Sequence, residues 1–160
     1  MKSIKMFGIL FFIFSAITLI GCATLPSTSE MKAEILNYQL PQLPQEGKAI
    51  VYVVRPSQLG TLVRFNVFLD DQEDNSEMGY TRGAQYIYFT VMPGGHKVYS
   101  KAENWAELEI IAKPGEVMFI QQDPVMGFIM ARNNIIKLDD VTGKYNVKTL
   151  SLGTIIKTEK

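Results

Sequence analysis

The sequence predicts an all-β domain, a mostly antiparallel two-sheet sandwich of about 7–9 strands, and three observations carry that prediction. From Lys48 onward the chain breaks into short apolar or alternating runs, each closed by Gly, Pro, Asn or Asp at intervals of about ten residues. No segment after Lys48 sustains helical periodicity. The gaps between runs are also shorter than the dozen or so residues that a parallel crossover needs, so neighbouring strands are expected to run antiparallel. A small closed barrel is the alternative architecture.

The elements before the sandwich read as an address. Lys2 and Lys5 precede an apolar run over residues 6–20, rich in Phe, Ile and Leu and interrupted by Gly8, Ser15 and Thr18. This is the pattern of a signal peptide, expected over residues 1–21. As a helix the run would span about 22 Å, short of a hydrocarbon core of about 30 Å, which argues against a permanent membrane span. The run ends in Leu19-Ile20-Gly21-Cys22. That ending resembles the bacterial lipoprotein lipobox, in which the Cys is acylated and becomes the new N-terminus. Cys22 is the only cysteine in the chain, and its position at the end of the apolar run favours lipidation over a buried free thiol. In lipoproteins Asp after the acylated Cys commonly marks inner-membrane retention; Ala23 stands here, so the resemblance implies the outer membrane, facing the periplasm. Several acyl chains, at about 0.8 kcal/mol per buried methylene, would hold the protein without further membrane contact.

Residues 22–47 are expected to be a lipidated, Pro-containing tether. Pro26, Pro41 and Pro44 remove backbone donors and bias the preceding residues to extended forms, so no long helix crosses 40–44. A short helix over 30–38, capped by Ser29, is the one element expected within it. The sandwich itself is expected over 48–152, with 153–160 as a C-terminal tail.

Within the sandwich, residues 49–55 are almost continuously apolar and predict a central strand, ended by Pro56. Further strands are expected over 62–69, 78–81, 85–91, 96–103, 106–112, 117–122 and 128–131. A last pair, 135–138 and 145–152, flanks a turn at Val141-Thr142-Gly143. Pro93-Gly94-Gly95 and Pro114-Gly115 mark tight turns, and the run from Asp70 to Asn75 is turn chemistry.

Four separated motifs then carry a family resemblance: Lys48-Ala-Ile-Val-Tyr-Val-Val-Arg55-Pro56-Ser57, Phe65-Asn-Val-Phe-Leu-Asp70, Pro93-Gly94-Gly95-His96 and Gln122-Asp-Pro124-Val-Met-Gly127-Phe128. In this order, over residues 48–140, they resemble a bacterial lipoprotein domain family of unknown function, distantly similar to PEGA-type modules. Asp71 stands where the family's hairpin has Gly. The resemblance implies an immunoglobulin-like β-sandwich and an envelope location, and it implies no chemistry.

Charge and composition exclude several functions. Sixteen Lys and Arg balance sixteen Asp and Glu, which leaves no electrostatic footprint for nucleic acid. One Cys and one His cannot assemble a four-ligand zinc site or an internal disulfide. His96 is the one candidate general base; it follows a Pro-Gly-Gly turn, where finishing the turn is its ordinary role, although a Ser-His-Asp set with Ser100 can be drawn. Asp70, Asp71, Glu73, Asp74 and Glu77 offer oxygen ligands, but their spacing is not that of an EF-hand, and a solvated hairpin tip accounts for them. Glu107 and Glu109 alternate with Leu108 and Ile110 as the wet side of a strand rather than a glycosidase pair.

Three residues are candidates for binding. Tyr86 and Tyr88 lie opposite Ile87 and Phe89 and would form an aromatic strip if that face is exposed; a covering loop or tether would make them core. Arg55 is placed to hold a carboxylate of a peptide or of peptidoglycan, or to form an internal ion pair. The expected function is therefore an envelope lipoprotein with a non-catalytic sandwich that binds a protein or glycan partner, without cofactor or metal. The alternative is a small periplasmic hydrolase.

Overall fold

A computed structural model of the chain describes residues 25–126 and 132–160. The signal peptide, Cys22 and the strand expected over 128–131 lie outside the described residues. Two five-stranded sheets face each other. Sheet A has the order β8-β7-β1-β4-β9, from β8 (Arg132–Leu138), β7 (Val117–Val125), β1 (Ala49–Arg55), β4 (Gln85–Val91) and β9 (Ser151–Leu152). Sheet B has the order β10-β3-β2-β5-β6, from β10 (Thr154–Ile155), β3 (Glu77–Thr81), β2 (Phe65–Leu69), β5 (Gly94–Lys101) and β6 (Trp105–Ala112). The mostly antiparallel all-β sandwich expected from the sequence is the observed architecture.

The core follows from strand alternation. Val51 and Val53 of β1, Ile87 and Phe89 of β4 and Ile120 of β7 meet Val67 and Leu69 of β2, Met78 of β3 and Val98 of β5 between the sheets. β1 is buried at every position because it sits at the centre of sheet A with a second layer outside it. That layer packs on Ile50, Tyr52, Val54, Tyr86 and Phe119.

Two pairings depart from the antiparallel expectation. β1 runs parallel to β7, and β4 parallel to β9. No crossover helix is needed for the first: after β1 the chain builds β2 and β3 in sheet B, returns as β4, and builds β5 and β6 before re-entering sheet A as β7. The opposite sheet supplies the crossover.

The strand expected over 145–152 is a correction. Residues Asp140–Thr149 form a helix, labelled α2 below, and only Ser151–Leu152 is strand. Asp139 caps the helix by accepting hydrogen bonds from the amides of Val141 and Thr142, each 3.0 Å. Its buried stripe is Gly143, Asn146 and Val147, too small and too polar to register as an apolar period. Gly143, expected in a turn, is instead the contact point: a Cβ there would lie 2.1 Å from Cγ of Phe119, so glycine lets the helix backbone rest on β7.

The expected tether is also corrected in its described part, because residues beyond Ser27 pack on the sandwich. Helix α1 (Thr28–Ile35) starts two residues earlier than expected, with Ser27 rather than Ser29 as its cap in a capping box with Glu30. It packs against α2, and Lys148 Nζ binds the Glu34 carboxylate at 2.6 Å. Further along, the Tyr52 hydroxyl donates to the Gln42 carbonyl at 2.6 Å and accepts from the Gln42 amide at 2.9 Å. Burial raises the Tyr52 phenol well above its ordinary value, which keeps it a neutral donor.

The expected C-terminal tail is a strap across both sheets. β9 pairs with β4, β10 pairs with β3, and the Thr158 carbonyl then accepts from the Thr90 amide at 2.7 Å. Lys160 finishes the strap on Asp71. No helix among the described residues is long and apolar enough to cross a membrane.

Candidate functional site

The two outer faces differ. The outer face of sheet A is covered by α2 and by the segment around Leu40, whereas that of sheet B holds exposed Lys101, Trp105, Glu107, Glu109 and Ile111. Strand register aligns one row straight across sheet B. Thr154 pairs with Tyr80, Tyr80 with Asn66, Asn66 with Lys101, and Lys101 with Trp105. With strands about 4.8 Å apart, Tyr80 and Trp105 stand about 14 Å from each other with an amide and an ammonium between them.

Each end of the row is built by its neighbours. Trp105 packs on Phe68, with ring centroids 5.1 Å apart, and edge-on to Tyr99 at 6.4 Å, yet remains 37% exposed. The Lys101 ammonium lies 4.9 Å from the Trp105 ring centroid. At the other end the guanidinium groups of Arg64 and Arg82 lie over Tyr80 at 5.0 and 5.5 Å. The Tyr80 phenol is held below its ordinary value, first by the Thr154 side chain, then by Arg64 and by the positive charge of both arginines. Among the described residues no salt bridge joins Arg64, Arg82 or Lys101 to a carboxylate. Glu77, on the same face, accepts from Asn66 Nδ2 at 2.6 Å. Lys97 in the next rows is matched by Glu109 at 3.2 Å. The row is therefore aromatic at both ends, with its positive charge on Arg64 and Arg82 at the Tyr80 end and on Lys101 beside Trp105, and with Glu77 and Glu107 on the same face.

The residues singled out from the sequence sit elsewhere. Tyr86 is buried and Tyr88 half-buried on the covered face, around Tyr52, whose ring centroid lies 6.1 and 5.6 Å from theirs. They do not make an exposed strip, because the chain's own helix layer lies over that face. Arg55 is fully buried, and among the described residues no salt bridge pairs it with an acid. Its Nη1 donates to the Val63 carbonyl at 2.8 Å, its Nη2 to the carbonyls of Leu59 and Gly60 at 2.8 and 2.9 Å, and its guanidinium lies 3.7 Å from the Phe65 ring centroid. Both of its terminal nitrogens are committed to shaping the loop after β1.

His96 binds Asp70 through Nδ1 at 2.9 Å and the Met92 carbonyl through Nε2 at 2.8 Å, so both ring nitrogens face acceptors and neither is free to take a proton from a nucleophile. Ser100 lies four residues further along β5, about 13 Å away, and accepts from the buried Gln122 amide at 2.7 Å. The triad that can be drawn on paper is not assembled. Asp71 is held down to about 2, chiefly by its hydrogen bond from Lys160, and serves the C-terminal strap. Among the described residues no three His, Cys, Asp or Glu side chains are placed to hold a metal ion.

No family model and no solved structure matches the chain. It is similar to a curated protein of Haemophilus influenzae (strain ATCC 51907 / DSM 11121 / KW20 / Rd) described as an uncharacterized protein, with 24% identity over 138 residues, 86% of this chain and 79% of that one.

Proposed function

We propose that this chain is a bacterial envelope lipoprotein, anchored through Cys22 at the outer membrane and facing the periplasm, whose sandwich acts without catalysis by binding a partner on the outer face of sheet B. One observation carries the reading: the chain covers one sheet face with its own helices, and the other holds a row of aromatic and cationic side chains of which Lys101 and Trp105 are exposed and Tyr80 and Asn66 half-exposed. The anchor is supported by Leu19-Ile20-Gly21-Cys22 at the end of the apolar N-terminal run. The hydrolase alternative gains nothing from His96, which is occupied on both sides.

Two measurements test the proposal. Cys22→Ala is expected to abolish incorporation of labelled palmitate; continued labelling would overturn the anchor. A photo-crosslinking residue placed at Lys101 is expected to give adducts in cells, whereas the same group at Lys32, on α1, gives none. Adducts from position 32 but not 101 would move the partner to the other side of the molecule.

A further inference from the structure

We propose that the row Tyr80–Asn66–Lys101–Trp105 is a track for an acidic glycan, a chain of sugars bearing carboxylates. This deepens the reading of sheet B as the partner surface and rests on it. A sugar presents an apolar, slightly positive C–H face that lies well against the electron-rich face of an aromatic ring; the exposed part of Trp105 offers such a ring at one end of the row, while Tyr80 at the other carries the Arg64 and Arg82 guanidiniums that would meet the carboxylates. Between them, Asn66 Oδ1 is an acceptor and the Lys101 ammonium a donor, suited to sugar hydroxyls. The cationic end of the row at Arg64 and Arg82 favours an acidic chain over a neutral one, although Glu77 and Glu107 share the face. Arg64, Arg82 and Lys101 lie along the row without a carboxylate partner among the described residues, and a guanidinium fork binds a carboxylate in two parallel hydrogen bonds.

The same geometry disfavours an acidic peptide. Peptides are held by a free strand edge, an apolar groove or a proline-binding aromatic groove. Most of this row crosses the β3, β2 and β5 backbones, which are already paired on both sides; it reaches a sheet edge only at β6, where Phe68 fills the space beside Trp105. What remains is the outer face of a paired sheet with Trp105 standing on it, a surface on which a sugar can stack.

Trp105 is the only tryptophan in the chain and reports on its own site. Trigalacturonate titrated into the full chain in detergent is expected to change Trp105 fluorescence saturably, with neutral cellotriose at least tenfold weaker. Arg64→Gln combined with Arg82→Gln is expected to weaken trigalacturonate at least tenfold without moving the melting temperature, since both arginines are exposed. Equal affinity for cellotriose, or an unchanged affinity in the double variant, would overturn the acidic-glycan assignment. If triglutamate binds and trigalacturonate does not, the glycan class fails while the surface stands. If nothing shifts Trp105 and position 101 yields no adducts in cells, the surface reading fails with it.

Discussion

Replacing Arg55 with Met is expected to lower stability by about 3 kcal/mol, seen as a shift of the denaturation midpoint and a fall in melting temperature of about 10 °C. The side chain is fully buried, and its two terminal nitrogens donate to three carbonyls of the loop that leaves β1. Hydrogen bonds from a charged donor contribute about 1.5–3 kcal/mol each, so their loss is large. Two terms oppose it. Desolvation already lowers the Arg55 pKa, which means that part of the cost of burying the charge returns when the charge is removed. Met also keeps the apolar stem against Phe65. The net stays unfavourable because the Leu59 and Val63 carbonyls are left without donors, only Gly60 keeping the Val63 amide at 2.9 Å, and the loop must open to hydrate them. Amide exchange in residues 57–63 is therefore expected to rise together with the loss of stability. Arg55→Lys should fall between the two, because an ammonium cannot span the fork. A Met variant within about 0.5 kcal/mol of the parent would show that the guanidinium is incidental to the loop.

The strands were readable because their evidence is local. The continuous apolar run at Ala49–Arg55 marked a strand buried on both faces, and β1 holds the centre of sheet A. The alternation in Gln85–Val91 and in Trp105–Ala112 likewise set which residues face the core. What stayed hidden is non-local. Helix α2 buries Gly143 and Asn146, residues that carry no apolar signal, so its period was invisible. The Tyr80–Trp105 row depends on cross-strand register, which no single strand reveals. Trp105 opens the alternation of β6 and so declares an outer face, but its neighbours in space come from β5 and β2. Arg55 stands out in the sequence by its charge, yet its partners are backbone carbonyls, which residue identities do not announce.

Changing Tyr86 and Tyr88 together to Ser is expected to cost about 4 kcal/mol while leaving adducts from position 101 intact at temperatures where the variant is folded. Removing a large buried aromatic costs about 3–5 kcal/mol; Tyr86 is near that limit, whereas Tyr88 is half-buried and contributes less. Tyr52 supplies the coupling. Its ring contacts both tyrosines and Phe119, at centroid distances of 5.6–6.1 Å, and its hydroxyl holds Gln42 on the sheet. Loss of the two neighbours opens a gap beside Tyr52 and weakens the hold on the segment that covers it, so protease cleavage between residues 36 and 48 is expected to accelerate. Partner capture separates the two faces of the molecule. A pair that served as a recognition strip would lose the partner with stability unchanged; a pair that seals sheet A beneath its own helix layer loses stability and keeps the partner on sheet B. A variant of unchanged stability that captures nothing would return the binding role to Tyr86 and Tyr88 and remove it from Trp105.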